Sequence, residues 1–558
     1  MATIKCETFS FTYNCEKVKS LDAIDLEVNP GEILLIQGPT GSGKSTLLKS
    51  LKKELLPFGR KEGCITLDNC RVEDISLTQS AQMVGFVFQN PLNQVVCDTV
   101  EAELAFGMEN LGKSKTEIRE RIAELSLYFG MSDWLRKDIQ CLSMGELQLV
   151  NLASIIAMTP DILLLDEPFA QLDPIAKERF LQMLLKLNED FNLTIVIVEH
   201  DIDLLYHHCD QVIVLNNGRI MERGNPRQLA ERYKESKVNR YLPIATQVFH
   251  VLGGEGPIPI NVKEGIRFLN KVEGLEETID SERKKEVRPE SLKIKNLTFR
   301  YDRESSYILE EINLTLKEGD VLCLFGANGS GKTTLLKVII GILKNKQGKI
   351  WWNNIRITPK SLDKLLGRTI GYLPQTPNSL LFSGTVRHNL IEMMTYHNLD
   401  MIKQRDNIEG ILIDLDLKHI EHRKVDALSY GEQQLVALAK VFILHPKLVL
   451  LDEPTKGLDR EKKETVNVFL KRKASEGVTI VMTCHDPDFA AEVGSLCTLL
   501  SQQRLTALQT PESFFSTHAF FTTTVKKIVH QRLSNVVTLD ELKRRHNRKG
   551  EEDEEKNH

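Results

Sequence analysis

The chain has 558 residues, too many for one compact core at about 150 residues per domain. Its 72 Lys and Arg against 77 Asp and Glu give a formal charge of −5, without the basic excess of a dedicated nucleic-acid-binding protein. With 41% apolar and 27% charged residues, the composition is that of a globular protein rather than a disordered or membrane-spanning one. The longest apolar runs, such as Ile162–Leu165 and Leu448–Leu451, fall far short of the ~20 residues that cross a bilayer. Any role at a membrane would therefore go through a partner. The start of the chain has no basic region ahead of an apolar core, so no secretory signal is expected. The ten cysteines form no C-x-x-C pair, which points to reduced thiols of a cytosolic protein rather than disulfides or a zinc site.

In chain order, an alternating apolar stretch ends at Tyr13, a ring suited equally to core packing and to stacking on a base. The apolar strand Glu32–Gln37 runs into Gly38-Pro39-Thr40-Gly41-Ser42-Gly43-Lys44-Ser45-Thr46 and then into the helical pattern Leu47–Leu51. In that setting successive N–H groups can face a polyphosphate at a helix N-terminus, with Lys44 reaching its β/γ oxygens and Ser45 holding Mg2+. Gln89, opening a Gln-x-Pro loop, is a candidate contact to Mg2+ or water. The segment Leu142-Ser143-Met144-Gly145-Glu146 follows. The run Ile162–Asp166 reads as a buried parallel strand whose last carboxylate emerges at the ligand-binding edge of such sheets and can hold Mg2+. Glu167, one residue on, can polarise a water for in-line attack on a γ-phosphate. A further strand from Thr194 leads to His200, a donor able to sense that phosphate, whereas His207 and His208 read as ordinary surface or core residues.

The appendix from Asn225 to Glu290 pairs Ile244, Val248, Val251 and Leu252 at helical spacing and breaks at Gly253–Pro259. It restarts with Asn261 and Glu264 as a capping pair for a short helix. From Lys271 to Glu290 the chain is mostly charged and reads as a solvated linker.

Every motif then recurs. Tyr301 matches Tyr13. The strand Asp320–Phe325 leads to Gly326-Ala327-Asn328-Gly329-Ser330-Gly331-Lys332-Thr333-Thr334, with Lys332 lying 288 residues after Lys44. Gln375 matches Gln89. Leu428-Ser429-Tyr430-Gly431-Glu432 repeats the Ser143 segment at an offset of 286, as do Asp452 and Glu453 the Asp166-Glu167 pair, and His485 matches His200. Conserved order and spacing predict a duplicated domain. The expected boundaries are 1–224, 225–290 and 291–515, then an extension over 516–558 whose end, from Leu542, runs basic and then acidic and reads as a disordered tail.

Together these residues resemble the ATP-binding cassette (ABC) family across nearly all of both repeats. The resemblance implies an α/β fold of two tandem ABC-type phosphate-loop NTPase domains, each with a mainly parallel sheet core, an antiparallel β subdomain and a helical subdomain. It implies ATP as substrate with Mg2+ held through Ser45, Gln89 and Asp166, and through Thr333, Gln375 and Asp452. Glu167, His200, Glu453 and His485 would be catalytic, and Tyr13 and Tyr301 would meet the adenine. In family members two cassettes close head to tail, so Lys44 would share a site with Ser429 and Gly431, and Lys332 with Ser143 and Gly145. Met144, Tyr430, Glu146 and Glu432 depart from the commonest Leu-Ser-Gly-Gly-Gln signature, yet both halves keep every catalytic type, and two hydrolytic sites are expected.

Within the family, Gln89–Gln94, Asp98–Gly107, Glu109–Gly112 and the appendix from Leu242 through Pro259 are similar to the ATPases of energy-coupling factor (ECF) transporters, with Leu381–Leu390 in the corresponding place of the second half. That similarity implies a peripheral subunit at the cytoplasmic face of the membrane. Its partners would be a transmembrane coupling subunit and a substrate-binding membrane subunit, importing a vitamin or a transition-metal ion, with no nucleic acid involved. The rival reading is a soluble tandem-cassette ATPase of the translation-factor type acting on the ribosome, whose signatures also end in Glu. Those proteins resemble one another in a long charged helical arm, where this chain has Gly253-Gly254, Pro257 and Pro259.

Overall fold

The computed structural model describes residues 2–14, 17–233, 240–272, 288–302, 304–344, 347–358, 365–367, 369–397, 401–530 and 532–546. The chain divides into two compact units, Met1–Lys271 and Val272–His558. Most of the expected linker, 273–287, and the end of the expected tail, 547–558, lie outside the described residues.

In the first unit, β1 (Ile4–Tyr13), β2 (Leu21–Val28), β4 (Gly59–Leu67) and β5 (Cys70–Arg71) form an antiparallel sheet in the order β2-β1-β4-β5. A second sheet joins β3 (Ile33–Gln37), β6 (Val84–Val87), β7 (Ile162–Asp166), β8 (Thr194–Val198), β9 (Gln211–Asn216) and β10 (Arg219–Gly224) in the order β10-β9-β3-β8-β7-β6. All its pairings are parallel except that of β10 with β9. Away from their end residues its inner strands are apolar, because both faces are covered. Leu34, Ile36, Leu164 and Val196 pack toward the antiparallel sheet, while Leu35, Leu163, Leu165 and Ile197 pack toward helices on the other face. β3 lies between β8 and β9, so the chain leaves its end at a point where connections diverge to both sides, the usual crevice for a ligand in such sheets.

Between β6 and β7 the chain builds a helical layer from Val100–Asn110, Lys115–Tyr128 and Met144–Ile156. The side chains of Thr99, Ser114 and Ser143 accept hydrogen bonds at the three N-termini, contacts worth about 1 kcal/mol each.

The second unit repeats the plan. β11 (Glu290–Phe299), β12 (Leu309–Lys317), β14 (Gln347–Trp352) and β15 (Ile355–Arg356) make the antiparallel sheet. β13 (Val321–Phe325), β16 (Ile370–Leu373), β17 (Leu448–Leu451), β18 (Thr479–Thr483), β19 (Leu496–Ser501) and β20 (Arg504–Leu505) follow the order β16-β17-β18-β13-β19-β20.

The duplication reaches further than the motifs indicate. In the first unit the helix Ile244–Val251 starts where the Ile244 N–H donates to Asp203 Oδ1 at 2.7 Å, and Asn261 caps the helix Val262–Leu269 by accepting the Glu264 N–H at 2.9 Å. In the second, the Thr524 N–H donates to Asp488 Oδ1 at 3.2 Å, and Thr538 Oγ1 accepts the Glu541 N–H at 3.2 Å ahead of a helix over 539–546. Where the disordered tail is expected to begin, residues 542–546 are therefore helical. The Leu542 side chain is buried, and the basic residues Lys543 and Arg544 lie on the exposed side of a capped helix. Among the described residues no helix is long and apolar enough to cross a membrane.

Candidate functional site

The phosphate loop of the first unit leaves β3 and turns into the helix Lys44–Ser50. Gly43 caps that helix at φ 101°, and a Cβ there would stand 2.5 Å from the Ser20 carbonyl oxygen, so no other residue fits. Lys44 is buried and curls over the loop, donating to the carbonyl oxygens of Gly38 at 2.8 Å and Pro39 at 2.9 Å. Ser45 Oγ donates to Asp166 Oδ1 at 3.0 Å. The Tyr13 hydroxyl lies 3.1 Å from Thr46 Oγ1, with its ring edge-on to Phe11, which puts the aromatic beside the loop.

Asp166 ends β7, and Glu167 follows with φ at 47°, a left-handed turn that swings its carboxylate out of the strand. Gln89 Nε2 donates to Glu167 Oε2 at 2.6 Å, and His200 Nε2 lies 3.1 Å from Glu167 Oε1. Two residues from different loops thus converge on the carboxylate of a third. Burial, followed by the charge of Glu167, pushes the Asp166 pKa up to about 6.

The second unit reproduces the arrangement. Lys332 donates to the Gly326 and Ala327 carbonyl oxygens at 2.8 and 3.0 Å, and Thr333 Oγ1 donates to Asp452 Oδ2 at 2.7 Å. Tyr301 meets Thr334 Oγ1 at 3.1 Å, and His485 Nε2 lies 3.0 Å from Glu453 Oε1. Burial pushes Asp452 up as well. Glu453 behaves oppositely. Burial favours its neutral form, but His485, Lys456 and Gln375 outweigh that and hold its pKa at about 2. Lys456 Nζ stands 3.8 Å from Glu453 Oε2, a neighbour for which the first unit has Ala170.

A hydroxyl and a buried carboxylate facing each other at the foot of each phosphate loop form an all-oxygen, hard donor set. It fits Mg2+ by its chemistry, and the raised pKa of Asp166 marks a buried charge that a cation would stabilise. Gln89, expected as a contact to Mg2+ or water, donates to Glu167 rather than to Asp166.

Ser143 and Ser429 stand at helix starts. Each hydroxyl donates to the Glu three residues on, Glu146 or Glu432, at 2.7 Å, and accepts that residue's N–H at 3.3 Å. The Glu that departs from the common signature is thus the second half of a capping box. A Cβ at Gly145 would stand 2.8 Å from the Ala176 Cβ, so the signature helix lies close against the helix Pro174–Phe191. Tyr430 uses its hydroxyl to reach the Gln375 carbonyl oxygen at 3.2 Å.

Glu199 and Lys456 escaped the sequence reading. The available signal was a charged residue beside a motif: Glu199 directly precedes His200, and Lys456 follows Glu453 by three.

The profile of the ABC transporter family matches residues 21–170 and again 309–456. The chain belongs to the ABC transporter family. A protein of Bacillus anthracis described as an ABC transporter ATP-binding protein is 37% identical over 546 residues, 97% of this chain and 98% of that one. One of Methanosarcina acetivorans with the same description is 30% identical over 523 residues, 90% of this chain and 85% of the other. The solved structure of cbiO1 from Clostridium perfringens, described as part of the ABC transporter complex cbiONQ, is 32% identical and covers 44% of this chain and 98% of its own, with a TM-score of 0.39. The chain is an ABC transporter ATPase with two tandem cassettes, and ATP is the nucleotide its phosphate loops take.

Proposed function

We propose that the chain is the energy-coupling ATPase of an ECF-type importer of a vitamin or transition-metal ion, peripheral at the cytoplasmic face of the membrane. The observation that carries the catalytic half of this reading is the convergence of Gln89 and His200 on Glu167, repeated by His485 on Glu453. Lys44 and Lys332 exchange their loop carbonyls for the phosphate oxygens of ATP. Glu167 and Glu453 take a proton from the attacking water, and His200 and His485 hold those carboxylates in place while contacting the γ-phosphate. Ser45 with Asp166, and Thr333 with Asp452, would hold Mg2+, which neutralises phosphate charge. The signature serines, Ser143 and Ser429, would each cover the nucleotide on the other cassette's phosphate loop, as the family resemblance implies.

The coupling half rests on the segments after Gln89 and Gln375. Buried Glu103 takes the N–H groups of Val96 at 3.0 Å and Cys97 at 2.8 Å, while Asn389 takes that of Phe382 at 2.8 Å. These clips hold Val96 and Phe382 outward, more than half exposed, which suits docking to an apolar partner surface. The test is affinity purification of the tagged chain from detergent-solubilised membranes. Integral membrane subunits should co-purify; recovery of ribosomes without a membrane protein would contradict the reading.

A further inference from the structure

Glu199 is buried at the end of β8, where the second unit has Cys484. Its Oε1 accepts the Phe169 N–H at 2.8 Å, and its Oε2 accepts the His200 N–H at 2.9 Å and, more weakly, that of Asp201 at 3.4 Å. The carboxylate therefore spans two loops, the one that follows Glu167 and the one that carries His200. Because the His200 ring meets the Glu167 carboxylate at 3.1 Å, these contacts close a ring of bonded groups around the catalytic pair. The second unit fixes the same place differently. Thr483 Oγ1 accepts the Glu453 N–H at 2.8 Å and donates to Asp452 Oδ1 at 2.8 Å. The first unit has Val198 there, whose side chain offers no hydroxyl, and the Glu167 N–H goes to the Val198 carbonyl oxygen at 2.9 Å.

We propose that Glu199 is a positioning residue of the first nucleotide site, holding the loop after Glu167 and the His200 turn at the separation in which the two side chains meet, a task that Thr483 takes over in the second site. This rests on the catalytic reading of Glu167 and His200. The two sites are therefore built to the same geometry by different chemistry, and substitutions at position 199 act on one of them alone.

The experiment compares the full-length chain with Glu199→Leu, Glu199→Gln and the double variant Val198→Thr with Glu199→Cys, which installs the second unit's pair. Amide hydrogen exchange over residues 167–171 and 199–201 reports the clip without reference to turnover. Glu199→Leu should speed exchange at Phe169 and His200. In a Glu453→Gln background, where only the first site turns over, it should also lower kcat by about tenfold, since small misplacements cost that much or more, with KM for ATP changed less than about twofold. The double variant should recover much of the lost kcat, and Glu199→Gln should fall between, keeping one acceptor. Unchanged exchange and kcat in Glu199→Leu would overturn the proposal. So would a loss in which KM and melting temperature move together with kcat and the double variant recovers nothing. Should Glu199→Leu fail to fold, Glu199→Gln and the double variant decide by the same criteria. Wild-type chain without ATPase activity would count against the catalytic reading, while the exchange measurement would still test the clip.

Discussion

His200 Nε2 stands 3.1 Å from Glu167 Oε1, and the pair sits just past two neighbouring parallel strands, the histidine beyond β8 and the glutamate beyond β7. Under the proposed function that carboxylate polarises the attacking water, and the histidine would orient this base instead of acting as one. In a Glu453→Gln background, which leaves only the first site to turn over, replacing His200 with Ala should lower ATP turnover by about 100-fold and leave ATP affinity within a few-fold. Steady-state kinetics alongside binding of a fluorescent ATP analogue separates the two effects.

Gly43 allows the loop to close on the helix start at a left-handed φ. Gly43→Ala places a Cβ against the Ser20 carbonyl oxygen and adds backbone strain of about 1–3 kcal/mol. Nucleotide binding at the first site should be lost while the second site, tested by Gly331→Ala, fails independently. Photolabelling with an azido-ATP analogue and mapping of the labelled peptides reads each site.

The capping boxes make a prediction about the unusual signature. Ser143→Ala removes the acceptor for the Glu146 N–H and should cost about 1 kcal/mol. Glu146→Gln keeps a side chain able to accept the Ser143 N–H and should change stability by less than about 0.5 kcal/mol. Thermal denaturation of the three chains side by side checks the ranking.

The raised pKa of Asp166 has a definite sign. A carboxyl shifted from its ordinary value up to about 6 is protonated in the fold below that pH and ionised above it. Its neutral form favours folding at low pH, and that contribution declines as pH rises through about 6. A cation needs the ionised form, so Mg2+-dependent ATP binding at the first site should be level above pH 6. Below it, affinity should weaken about tenfold per unit. Titration of ATP binding with and without Mg2+ across pH 5 to 8 measures this.

The parts legible in the sequence were those whose identity follows from one chemical need. A phosphate loop admits few residues, and a strand buried on both faces shows as a run such as Ile162–Leu165 ending in a carboxylate. The repeated extension was hidden because only its physical roles are kept. Asn261 is replaced by Thr538 as a cap, and the spacing shifts from 286 to 277 residues, so comparison of letters finds little. Glu199 was hidden for the opposite reason. A single acidic letter at the end of β8 says nothing until the fold brings the Phe169 N–H to it. Tyr13 allowed packing and stacking equally, and the structure places it both against Phe11 and beside Thr46.

The claim that each unit carries an ATP-hydrolysing site centred on its glutamate is tested most directly by Glu167→Gln combined with Glu453→Gln. Turnover and retained nucleotide would be measured on the same preparation. The account predicts that hydrolysis is abolished while two ATP molecules per chain stay bound unhydrolysed after rapid gel filtration. Undiminished ATPase activity in the double variant would contradict it.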